Sequence, residues 1–156
     1  MHVGAHLGVP NKDDPGGRAL SPSFALGHSA LGFARFNAGK AVEAIGAYEH
    51  GLRLSPFDPQ NFVWLASLAL AQYFSGSRDA ALQTAMRALN IRPDGVPTLE
   101  TLAICCAALE RLDEARAFVA QMRQEKPPDI FAQMKVHRPE WAAEMTSMLR
   151  KAGLPE

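Results

Sequence analysis

Histidine and cysteine are the residue types here best able to bind a metal or attack a substrate, and their spacing gives them little to work with. His2 and His6 stand four apart, a step compatible with one metal ion, but no thiol or carboxylate joins them at ligand spacing. His28 and His50 fall on expected helices without an acidic partner to orient an imidazole, so surface or packing roles are expected for both. Cys105 and Cys106 are adjacent within a helical pattern, and neighbours on a helix point roughly 100° apart, so a bridge between them would be badly strained. They are expected as reduced, buried thiols. Asp14-Pro15-Gly16-Gly17-Arg18 lacks the lysine and hydroxyl of a phosphate-binding loop. Asp113 and Glu114 are the solvated acids usual in a first helical turn, and no serine or cysteine has a recognisable base partner. The expectation is a non-enzyme: no catalytic residue, no metal site, no cofactor.

Sixteen basic residues balance sixteen acidic ones, and Lys40, Arg53, Arg78, Arg87 and Arg92 are spread without forming a stripe. That argues against nucleic acid or a membrane surface as partner, since both need a concentrated positive field. Neither apolar run, 62–74 or 99–109, reaches the ~20 residues a helix needs to cross a bilayer. The N-terminus lacks the order of a signal peptide, so the cytoplasm is the expected location.

What would position these side chains is a recurring set of small residues. Gly39, Ala44 and Pro56 reappear as Gly76, Ala81 and Pro93 after 37 residues, and as Glu110, Ala115 and Pro127 after a further 34. A period of 34 is that of a helix–turn–helix repeat, and repeats of this type stack into curved surfaces that bind other proteins. Residues 1–21 read as a flexible tail, because Asn11-Lys12-Asp13-Asp14-Pro15-Gly16-Gly17 offers charge and turn formers but no apolar face. Ser21 and Pro22 suit the cap and first turn of the first helix. Three repeats are expected at about 25–58, 62–95 and 96–128, within 22–128, with turns at Gly39, Gly76 and Glu110 and with Ser77 and Asp58-Pro59 as caps. Residues 129–156 break the period: one short helix is expected from Pro127-Pro128-Asp129 and another from Arg138-Pro139. Trp141, Met145, Met148 and Leu149 make one apolar stripe, Arg150 and Lys151 suit the helix C-terminus, and Gly153 with Pro155 stops it. These capping helices are read as a lid over the third repeat.

The small-residue spacing resembles the tetratricopeptide repeat (TPR). Leu31, Gly32, Gly39, Ala44, Tyr48, Gly51 and Pro56 carry the likeness in the first repeat. Leu65, Leu68, Ala69, Gly76, Ala81, Ala85, Ala88 and Pro93 carry it in the second, and Leu99, Leu102, Ala103, Ala115, Val119, Met122 and Pro127 in the third. His28 stands where a large apolar residue is usual, Glu110 replaces the turn glycine and Met122 the second alanine. The resemblance implies an all-α, right-handed superhelix of three helix pairs. Leu54-Ser55-Pro56-Phe57-Asp58-Pro59 and the ending Leu149-Arg150-Lys151-Ala152-Gly153-Leu154-Pro155 also look like the C-terminal repeat region of bacterial class III adenylate cyclases, whose catalytic domain has no counterpart here.

The resemblance further implies a ligand groove on the concave face, built from the first helix of each pair. The matching positions are Leu26, Ser29, Phe33, Phe36 and Asn37, then Val63, Ala66, Leu70, Tyr73 and Phe74, then Glu100, Ile104, Ala107 and Ala108. Relatives that grip a terminal carboxylate place lysines and asparagines there, and this chain offers only Asn37. A groove of Phe33, Phe36, Asn37, Leu70, Tyr73, Phe74 and Ile104 would suit an amphipathic partner helix. The same aromatics could instead pack on the chain itself or on a second copy, so self-association stays open. The expected function is a non-catalytic protein-interaction module; the alternative is a regulatory C-terminal fragment of a class III adenylate or guanylate cyclase, acting in cyclic-nucleotide signalling.

Overall fold

The computed structural model describes residues 15–122 and 138–155, with side chains from residue 24 onward. Within them the chain is helical: α1 Pro15–Asn37, α2 Ala41–Leu54, α3 Asn61–Phe74, α4 Arg78–Ile91, α5 Val96–Ala108, α6 Leu112–Met122 and α7 Pro139–Lys151. Successive helices pair as α1/α2, α3/α4 and α5/α6, and each pair leans on the next. The first helices also touch one another, α1 with α3 and α3 with α5, whereas the second helices meet at most marginally. The stack therefore closes on the side of α1, α3 and α5, which is its concave face. This is the all-α superhelix of helix pairs expected from the repeat.

Each pair turns by the same backbone device. The N–H groups of Gly39 and Lys40 bond back to the carbonyls of Phe36 and Arg35 at 2.9 Å each. Gly76 and Ser77 repeat this on Tyr73 and Gln72, and Glu110 and Arg111 repeat it on Ala107 and Cys106. The turn residue needs a left-handed backbone, with φ of 79° at Gly39 and 97° at Gly76. Glu110 adopts φ 61° without a glycine's freedom, so the third turn keeps its shape against a steric cost.

Small residues set how closely helices cross. Ala44, Ala69, Ala81, Ala103 and Ala115 are completely buried. A β-carbon at Gly32 would stand 2.8 Å from Cδ1 of Tyr48, whose ring is itself fully enclosed. A β-carbon at Gly51 would meet the Ala25 carbonyl and the Ser29 hydroxyl at 2.9 Å, so α1 and α2 nearly touch there.

Several local expectations change. The first helix begins at Pro15 rather than after Ser21, so 15–21 is helical and not tail. Pro22, in the interior of that helix, gives up one backbone hydrogen bond, and the helix continues past it to Asn37. Ser77 stands at the head of α4 but its hydroxyl makes no cap bond. Asp58 Oδ1 does accept from the Gln60 N–H at 2.8 Å. Pro97 sits in the first turn of α5, and Arg138-Pro139 opens α7, as expected. The remainder of the tail, 1–14, and the short helix expected from Pro127 lie outside the described residues.

Substituting Gly32→Ala should lower unfolding free energy by about 1–3 kcal/mol, because the enclosed Tyr48 ring cannot retreat. Gly27→Ala and Gly46→Ala face open space and should instead gain roughly 0.4–1 kcal/mol. Urea unfolding of the three variants checks both signs.

Candidate protein-binding groove

Trp141 of α7 lies against the concave face. Its ring stacks on Phe74 of α3 at 4.5 Å and 11°, and meets Phe36 of α1 at 4.9 Å, while Phe36 and Phe74 are 6.1 Å apart. One side chain thus ties the first helices of the first two repeats to α7. Behind it the stripe expected from sequence does the packing: Met145 and Leu149 are buried, and Trp141 and Met148 are half-buried. α7 packs mainly on α5, and its N-terminal end also reaches the first repeat through Trp141 and Arg138. Arg138 Nη2 donates to the Ala38 carbonyl at the first turn, and Lys151 pairs with Glu110 at the third. The middle of α7 is anchored at the second repeat. Glu144 Oε1 accepts from the Tyr73 hydroxyl at 2.9 Å and from Arg78 Nη2 at 3.2 Å. Burial, and then this bond to a carboxylate, push the Tyr73 hydroxyl pKa up.

The seven candidate groove residues therefore divide. Phe36, Tyr73 and Ile104 are buried, and Phe74 is covered by Trp141, so none of these four lies open to a partner. Phe33 remains exposed at 41%, and Asn37 and Leu70 are half-buried. Further along the same face Leu26 is 58% exposed and Val63 half-buried, while Ser29, Ala66, Glu100 and Ala107 are buried. Leu26 and Val63 border an open cleft of about 410 Å³ with Ala25, Asn61 and Trp64. Sequence reasoning missed Trp141 as a concave-face residue: its place in an apolar stripe was legible, but not the surface that stripe would meet.

The lining is mainly apolar, with Ser29, Asp58, Gln60 and Asn61 as the polar members of the cleft. α3 carries no charged residue, and Glu100 is the one charge on α5. Among the described residues no group of three or more His, Cys, Asp or Glu side chains could hold a metal ion, and no helix is long and apolar enough to cross a membrane. Cys105 and Cys106 are free and buried. Burial pushes the Cys105 thiol from 9.0 to about 12, and Cys106 moves in the same direction for the same reason.

No family model matches the sequence, and no curated protein is significantly similar to it. Solved structures do resemble it. The first TPR domain of Spaghetti (RPAP3), bound to an HSP90 peptide, superposes with a TM-score of 0.65 at 22% identity, over 83% of this chain and 90% of that one. The second TPR domain of human RPAP3, with an HSP70 peptide, gives 0.63 at 17% identity over 86% and 99%. The Yersinia enterocolitica type III secretion chaperone SycD, with a peptide of the translocator YopD, gives 0.59 at 17% over 80% and 88%. The chain has the fold of TPR domains.

A thiol harder to ionise in the folded chain than in the unfolded one stabilises the fold below its unfolded pKa, and that contribution fades as pH rises through the folded value. The melting temperature should therefore hold up to about pH 9 and fall progressively toward pH 12, less steeply in Cys105→Ala. At neutral pH both thiols should resist a thiol reagent until the protein is unfolded, because the reactive thiolate is suppressed.

Proposed function

We propose that this chain is a non-catalytic protein-interaction module that binds an apolar or helical segment of a partner along its concave face. What supports the reading above all is α7, an amphipathic helix that the concave face already accommodates through aromatic stacking and buried methionine and leucine. The partner's segment lies beside α7, on the uncovered strip from Leu26 and Val63 to Phe33, Asn37 and Leu70, with one apolar side chain in the adjoining cleft. A rigid receptor of this kind spends little on ordering itself. The similar RPAP3 domains are seen with HSP90 and HSP70 peptides. The charge-free α3 and the single acidic residue of α5 favour an apolar rather than an acidic peptide here.

The cyclase-linked alternative rests on two stretches. Phe57, in the connector that carries that likeness, is 94% exposed, an unsupported aromatic suited to docking on another domain. The second stretch forms the end of α7, where Gly153 takes φ 96°.

A photo-crosslinking residue placed at Phe33 or Leu26 should capture a partner in the native cell, and one placed at Met86, exposed on α4, should not. Phe33→Asp should abolish that capture with the melting temperature unchanged. Equal capture from Met86 would refute the groove, and capture dependent on Phe57 alone would favour the cyclase-linked reading.

A further inference from the structure

His28 and His50 are 22 residues apart in sequence, yet their imidazole centroids stand 4.1 Å apart with planes inclined by 48°. The cause is the crossing at Gly51. A β-carbon there would touch the Ala25 carbonyl, the Ser29 hydroxyl and, at 3.4 Å, His28 Cβ, so α1 and α2 are held close one residue from His50. Within the described residues neither imidazole takes part in a hydrogen bond or an ion pair, and their contact is with each other. His28 is half-buried and His50 exposed. His50, being exposed, leaves the pair open to water on that side. Glu49 and Arg53 are the charged neighbours along α2, and both are exposed.

We propose that His28 and His50 form a two-imidazole site for a divalent transition-metal ion, which clamps the two helices of the first pair together. Two nitrogens bound to one ion at ~2.0–2.1 Å stand about 3 Å apart, a separation that inclined rings in contact reach by small side-chain rotations. Imidazole suits copper, nickel and zinc and not magnesium, and water completes the coordination. The ion binds only the folded chain at this site, since two residues so far apart in sequence converge only when α1 packs on α2. The site lies at the α1–α2 crossing and is independent of what the concave face binds.

Thermal unfolding of the full chain with Ni²⁺ tests the site. At Ni²⁺ about a hundredfold above its dissociation constant the melting temperature should rise by roughly 5–10 °C. A chelator should reverse the rise, and Mg²⁺ should produce none. The rise should persist when His2 and His6 are both changed to glutamine. It should vanish in His28→Gln and in His50→Gln, each compared with its own metal-free value. No rise in the unsubstituted chain, or a rise that survives either substitution, overturns the proposal. Proton NMR gives a readout that needs no variant: Ni²⁺ should broaden the ring signals of His28 and His50 first, and broadening confined to the other histidines overturns it.

Discussion

Tyr48 lies against Gly32 with no β-carbon between them, and at Gly51 the backbone of α2 closes on the Ala25 carbonyl of α1. The same lack of bulk recurs at Ala44, Ala69, Ala81, Ala103 and Ala115, each fully enclosed at a helix crossing. Helices packed this closely leave no space for a side chain to adjust, so each crossing admits one relative placement of its helices. Curvature follows from those placements. The first helices touch along the stack while the second helices barely meet, and the concave face is the consequence. Everything that α7 or a partner could contact inherits its position from side chains of one carbon or none.

The repeat was legible because it is written in residues that leave no substitute. Only glycine turns comfortably at φ near +80°, and only glycine or alanine fits those crossings. Glu110 shows how far the pattern tolerates a lapse: the backbone bonds of the third turn are the same as in the other two, so the turn is set by helices on both sides of it. The N-terminal boundary was not legible, because a proline after a serine reads as a helix start whether or not the chain is already helical. The meeting of His28 with His50 was equally hidden. A pairing across two helices depends on the rotation of each about its axis, and one glycine at position 51 sets both.

For the groove, the sequence assigned a face to the first helix of each pair and left open what would cover it. Phe36 and Phe74 were expected on the concave face and Trp141 in an apolar stripe, and the structure brings these three rings into contact. Polar anchoring sharpens that contact. Glu144 meets both Tyr73 and Arg78, and the ends of α7 are held at Ala38 and Glu110, so α7 has one register across three repeats. Exposed ion pairs of this type contribute at most about 1 kcal/mol each, so they fix placement more than they stabilise.

The magnitudes also decide which part of the concavity a partner can use. Burying Met145, Leu149 and half of Trp141 contributes about 1.5–3 kcal/mol for each large side chain, or several kcal/mol for the helix. Whole domains are stable by only ~5–15 kcal/mol, so a partner that displaced α7 would have to replace a substantial fraction of the stability of the fold before gaining affinity. Leu26 and Phe33 impose no such requirement: both are exposed, so burying them disrupts none of the chain's own packing. On the reading proposed above, a partner would therefore bind beside α7 rather than in its place.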